Sequence, residues 1–258
     1  MHTIIDSICH IDDSAFDADR KEVIENSHKL GVDKIVVPSI SALNWKIITD
    51  ICAEYECLYP AIGLHPQFVN EHEKDDIDKL DQYLDHHPCV AVGEVGLDYY
   101  EEDADRDRQQ WFFQHQLEVA MKHDMPLIMH VRKAHPDVIA CLKKTAFKRG
   151  GTVHAFNGSI EIGEEYIKLG FKLGFGGMLT NPNASKLQKL AAQLPLSAIV
   201  LESDAPDLSS INHKGERNSP EYLPEVLQKL ADIRPETIET IAQQTTVNTN
   251  DVLGLNNT

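Results

Sequence analysis

The feature that most constrains this chain is an alternation: short apolar runs are separated by segments with helical periodicity, eight times over. The runs are "HTIIDSICH", "DKIVVPSI", "LYPAIGLHP", "CVAVGEVGLD", "PLIMHVR", "GTVHAFNG", "FKLGFGGML" and "AIVLESDAPDL". Between them lie stretches such as "ADRKEVIENSHKLG", "NWKIITDICAEYE", "DRQQWFFQHQLEVAMKHD" and "SIEIGEEYIKLG". Strands alternating with helices imply a parallel sheet. Eight rounds favour an α/β chain closed into a (β/α)8 TIM barrel over an open doubly wound sheet. No Gly-rich dinucleotide fingerprint follows the first run. A length of 258 residues suits one such barrel, expected as a single domain over residues 1–258.

Gly31, Gly170 and Gly254 stand where helix C-caps are expected, and no long polar linker interrupts the series. Late in the chain "SSINHKGERNSPEYLP" reads as a polar loop long enough to serve as a functional βα connection. The helical patterns "PEVLQKLADIR" and "PETIETIAQQTT" then complete the ring of helices.

The formal net charge of −17 argues against a protein that grips nucleic acid through broad surface electrostatics. Any phosphate contact must be local or metal-mediated. The start, "MHTIIDSICHIDD", has the pattern of neither a secretory signal nor an anchor, and no stretch has membrane-spanning length. Five scattered cysteines without a C-x-x-C pair argue against both a disulfide framework and a zinc ribbon. A cytoplasmic protein with no membrane partner is expected, and a monomer is favoured.

The ionisable residues within the apolar runs carry the chemistry. His10, His65, Glu94, His130, His154 and Asp204 are expected near the C-terminal ends of six strands, which converge on the face where barrels build active sites. Period-two alternation would pair Ile8 with His10, Arg132 with His130, Phe156 with His154, and Glu202 with Asp204. Several imidazoles with a Glu and an Asp suit Zn, Mn or a similar ion, one or two in number, with Mg a poorer match to histidine. Glu94 lies in an apolar run, where a carboxylate is costly unless paired or metal-bound. Arg132 could clamp an anionic oxygen or lie on the surface as a solvated cation. Glu202 and Asp207 compete for the role of Asp204. His86, His87, His115, His123, His135 and His213 read as bystanders among thirteen histidines. The basic run "KKTAFKR" reads as a solvated helix end, and Trp111, Phe112 and Phe113 as helix packing.

These blocks together resemble the TatD family of metal-dependent hydrolases, within the amidohydrolase-like barrels. The likeness runs through "DSICHID", "GLHP", "VGEVGLD", "PLIMHVR", "VHAFNGS", "LGFGG", "LESDAPD", "RNSPEYLP" and "TTVNTNDVLG", nearly the whole chain. The wording "HAFNGS" and "ESDAPD" is closer to the YjjV-type branch. The resemblance implies a TIM barrel of the metal-dependent hydrolase type, a divalent-metal centre and deoxyribonuclease activity on DNA as the nucleic-acid partner. It would place His10, Glu94 and Asp204 on one ion and Glu94, His130 and His154 on the other. Arg132 and His65 would then lie beside the substrate phosphate, with Asp204 and Glu94 as catalytic carboxylates acting with a metal-activated water. The family's first block usually carries His-x-His, whereas this chain has Ile8-x-His10. One ion therefore loses a protein donor. Two alternatives stand beside the nuclease: a metal-dependent ester or amide hydrolase, such as an aminoacyl-ester deacylase, and a weakened barrel kept as a binding scaffold.

Overall fold

The computed structural model describes residues 2–255. The expected bounds of 1–258 run past this at Met1 and at 256–258, which lie outside the described residues. The first half of the barrel runs β1 (Ile4–Asp6), α1 (Arg20–Lys29), β2 (Val32–Pro38), α2 (Trp45–Glu54), β3 (Leu58–Ile62), α3 (Asp76–His86), β4 (Ala91–Asp98) and α4 (Arg106–Lys122). The second half runs β5 (Leu127–Arg132), α5 (His135–Thr145), β6 (Gly151–Val153), α6 (Ile160–Lys168), β7 (Phe171–Phe175), α7 (Ser185–Gln193) and β8 (Ile199–Leu201), and ends in α8 (Leu223–Ile233) and α9 (Ile238–Leu253). All eight strands are parallel and lie in sequence order from β1 to β8. The Ser7 N–H donates to the Leu201 carbonyl at 3.0 Å, which brings the two ends of the sheet together. The result is a (β/α)8 barrel.

Both faces of the strands are buried, and alternate residues divide between two apolar layers. Ile4, Ile35, Val37, Ile62, Val92, Leu127 and Met129 join the large core beneath the helices. Ile5, Val36, Ala61, Ala91 and Ile128, displaced by one residue, form a separate interior cluster with Val252, Leu253 and Leu255 from the end of the chain. This is the period-two alternation of a strand with apolar surroundings on each side. Phe112 and Phe113 pack into the outer core, as expected from α4. The basic run falls at the end of α5, where Lys143 pairs with Glu165 at 2.6 Å.

Helix ends follow local chemistry. The Asp105, Ser159 and Thr237 side chains accept backbone N–H groups at the starts of α4, α6 and α9. Gly254 closes α9 with φ 71°, a left-handed conformation that costs glycine least. Among the described residues no helix is long and apolar enough to cross a membrane.

Candidate metal centre

The strands are shorter than the apolar runs, and this decides how the site is made. β1 stops at Asp6, β3 at Ile62, β6 at Val153 and β8 at Leu201, so His10, His65, His154 and Asp204 all stand on the segments that leave the barrel. Only Glu94 and His130 lie within strands. The parity argument therefore holds for His130 and Arg132 alone. In the other three pairs the backbone has already turned. Asp204 itself has φ 57°, a left-handed geometry that Asp tolerates better than most residues.

All six residues nevertheless line one cavity of about 260 Å³ at the C-terminal end of the barrel, together with Asp12, Asn44, Phe68 and Asp207. Arg132 is not among its lining residues. Its guanidinium lies over the Tyr100 ring, 3.5 Å from the centroid. None of the six bystander histidines lines the cavity either.

Glu94 is the centre of the arrangement. Its carboxylate is buried, with His10 Nε2 at 3.2 Å from Oε2, and with His65 Nε2 at 3.6 Å and His130 Nδ1 at 3.7 Å from Oε1. Burial alone would raise its pKa, but His10, His130, His154 and His65 together outweigh burial and hold it well below the usual carboxylate range. Oε1 is fully enclosed and has no hydrogen-bond partner. A second carboxylate, Asp204, stands 3.4 Å from His154 Nε2 and 3.8 Å from His10 Nε2.

The imidazoles divide by environment. Burial pulls His10 down, yet the hydrogen bond and charge of Glu94, helped by Asp204, bring it up to about 9. Burial likewise opposes His154, but Asp204 and Glu202 lift it well above its ordinary value. His130 is raised against burial by Asp98 and Glu94. His65 goes the other way, to about 4, because burial and the neighbouring His130 outweigh Glu94.

The donor set suits a divalent ion. His65, Glu94 and His130 each offer an atom, all within 4.8 Å of one another, and the unpartnered Oε1 lies among them. Imidazole with carboxylate is the chemistry of Zn and Mn more than of Mg. The expected grouping of Glu94, His130 and His154 is looser, because His154 turns its two nitrogens to Asp204 and Glu202.

Four supporting residues escape a reading of the sequence alone. Asp98 Oδ2 lies 2.8 Å from His130 Nε2, and its only sequence signal was a spacing of four from Glu94 on one strand. Gln109 of α4 holds the Asp98 backbone at both N–H and carbonyl, 2.8 and 2.9 Å. Gln116, on the same helix face, does the same for Leu64, next to His65, at 2.7 and 3.1 Å. His72 Nε2 contacts the His65 carbonyl at 2.9 Å. α4 thus pins the end of β4 and the segment leaving β3.

Glu202, weighed in the sequence as a rival to Asp204, instead lies behind His154. Its Oε1 is 3.1 Å from His154 Nδ1 and accepts the Ala155 N–H at 2.7 Å. A Cβ on Gly174 would fall 2.0 Å from its Oε2, so only glycine leaves room for this carboxylate. Partners of this kind orient a ligating imidazole, and losing one typically costs about 10- to 100-fold in metal affinity or activity. Glu202→Gln is expected to lower both within that range while the fold is kept; titration calorimetry with Zn and Mn, beside steady-state kinetics, checks this.

The long loop after β8 braces the site. Arg217 makes a bidentate pair with Asp19 at 2.8 and 2.7 Å, and Asn218 Nδ2 donates to the carbonyls of Ser203 and Asp207. These bonds tie the segment bearing Asp204 to the one following β1.

With this geometry in hand, comparison with known proteins gives a direct answer. Residues 5–254 match the family described as TatD related DNase. The chain belongs to the TatD family. This TatD chain is 38% identical over 247 residues to YjjV of Escherichia coli K12, described as an uncharacterized metal-dependent hydrolase, with 95% of each chain covered. It is 32% identical over 254 residues to YabD of Bacillus subtilis 168, which carries the same description, covering 98% of this chain and 100% of that one. The crystal structure of YjjV is similar to this fold with a TM-score of 0.94 and 37% identity, covering 97% and 98% of the two chains. The likeness to the YjjV-type branch seen in "HAFNGS" and "ESDAPD" agrees with these matches.

Proposed function

We propose that this TatD protein is a divalent-metal-dependent hydrolase that cleaves phosphodiester bonds in DNA. The observation that carries the reading is Glu94: a buried carboxylate, held ionised, with three imidazoles around it and one oxygen without a hydrogen-bond partner. A buried charge in that state is costly unless a cation completes it. His65, Glu94 and His130 would hold the ion, with His10 and Asp204 beside them. When bound, a divalent ion supplies Lewis acidity, which lowers the pKa of water toward neutrality and polarises a phosphoryl oxygen.

The chain's own groups do the rest. Asp204, at the cavity wall beside two imidazoles, accepts the proton of the attacking water. The water oxygen bonds to phosphorus, the ester P–O bond breaks, and a protonated imidazole returns a proton to the leaving alkoxide. His154 and His10, both raised in pKa, suit that donor role. Arg132, outside the cavity lining with its guanidinium over the Tyr100 ring, would serve a phosphate flanking the reacting one. A bound ion also eases the conflict between a polyanionic substrate and a chain of net charge −17.

Hydrolysis of bis(p-nitrophenyl) phosphate and of single- and double-stranded DNA, across Mg, Mn and Zn, tests the reading. The wild type is expected to be active, and Asp204→Asn to be about 100- to 10,000-fold slower, the range for a lost general base. Silence with every ion would overturn the proposal. Cleavage of an aminoacyl ester but of neither phosphodiester would move the assignment to carbonyl chemistry.

A further inference from the structure

The segment beyond β4 carries an exposed aromatic ring that the proposed chemistry does not use. Tyr100 is 45% exposed, whereas its neighbour Tyr99 is 7% exposed. Two cations lie over the Tyr100 ring: the Arg132 guanidinium at 3.5 Å and the Lys133 ammonium at 4.4 Å from its centroid. Lys133 has φ 55°, a left-handed conformation uncommon for a lysine, and such outliers cluster at functional sites. Among the described residues neither cation spends its side-chain donors on a hydrogen bond or ion pair within the protein. The exposed acids Glu101, Glu102 and Asp103 follow directly, yet form no ion pair with either cation; the Arg132 charge acts instead on the Asp98 carboxylate.

The ring is also tied to the metal centre. The Tyr100 N–H donates to Asp98 Oδ1 at 2.9 Å, while Asp98 Oδ2 lies 2.8 Å from His130 Nε2. One buried carboxylate therefore holds both a candidate ligand and the backbone that carries the exposed ring. We infer that Tyr100, Arg132 and Lys133 form a platform that holds single-stranded nucleic acid beside the site, with a base stacked on the ring and a phosphate on the cations. This rests on the phosphodiester reading above. The chemistry suits that role, because aromatic faces accept any base, and a guanidinium stacked on a ring keeps its in-plane N–H donors for phosphate.

Fluorescence anisotropy with fluorescein-labelled oligodeoxythymidylate, in EDTA so that no cleavage occurs, tests the platform on the full chain. Tyr100→Ala is expected to weaken binding about 5- to 150-fold, the range for one lost stacking contact, and Tyr100→Phe to restore it. An abasic strand of the same length, having no base to stack, should bind wild type and Tyr100→Ala alike. Lys133→Ala should reduce the slope of log affinity against log salt by about 0.7, one phosphate on a single strand. The inference is overturned if Tyr100→Ala binds the oligonucleotide as wild type does, or loses the abasic strand to the same degree, which would mark the ring as a loop support. Absence of wild-type binding also overturns it, and hydrolysis of bis(p-nitrophenyl) phosphate then shows whether the phosphodiester reading survives alone.

Discussion

Glu94→Gln is expected to remove high-affinity metal binding and to lower hydrolysis more than about 100-fold. Losing a partner behind a ligand already costs about 10- to 100-fold, and Glu94 is the group on which the candidate ligands converge. The amide keeps the shape and removes the charge, so the loss reads electrostatics. The metal-free protein offers an independent signature. His10 takes up its proton on folding because Glu94 and Asp204 raise it from 6.5 to about 9 against burial. A raised imidazole contributes stability that is fully present below about pH 6.5 and is lost as pH rises through about 9. The contribution is on the order of 3 kcal/mol, at about 1.4 kcal/mol per unit. Glu94→Gln removes the main partner, burial then dominates, and His10 falls. Urea denaturation of the EDTA-treated proteins between pH 6 and 9.5 checks this: wild type should weaken across the window and the variant should vary less. Equal slopes would show that Glu94 does not hold the His10 proton. His130, raised by Asp98 and Glu94, must give up its proton to ligate the ion, so wild-type metal affinity should increase with pH.

Ile8→His is expected to trade stability for metal. Ile8 is fully buried in the interior layer with Ile5, Val36, Ala61 and Ile128. Its carbonyl accepts the Asp204 N–H at 3.0 Å, so position 8 lies directly against the Asp204 side of the centre. An imidazole there gives up buried aliphatic surface and buries a polar ring, together costing about 2 to 5 kcal/mol without metal. With metal, it restores the donor that the family's first block usually supplies. The variant should unfold at lower temperature than wild type in EDTA and gain more from Zn or Mn, since binding to the native state alone stabilises it. Calorimetry should count one tight ion in wild type, on His65, Glu94 and His130, and a second, tightened by at least about 10-fold, in the variant. Unchanged ion number and affinity would mean that Ile8 is a core residue with no bearing on the centre.

Much of this protein was legible from the order of its residues. The eight rounds gave the barrel, because burial on both faces requires continuous apolar runs and parallel strands require a crossover between them. Six of the cavity's ionisable residues were legible for a related reason: polar groups at strand ends in a barrel converge on one rim whatever their separation in sequence. Ile8 stood out as a departure from a pattern, and its burial explains how the chain tolerates it.

The tertiary structure decided what each group touches. Strand length was settled by pairing with neighbours, so His10, His65, His154 and Asp204 fell beyond the strand ends and the two-residue alternation no longer governed their direction. Arg132 kept its place in a strand but set its guanidinium over the Tyr100 ring and outside the cavity lining. Asp98 met His130 and Glu202 met His154 between segments about 30 to 50 residues apart in sequence. Local periodicity reports which residues turn inward, because it depends only on backbone geometry and the hydrophobic effect. Which carboxylate faces which imidazole depends on distances of 3 to 4 Å between chain segments far apart in sequence, and only closing the barrel sets them.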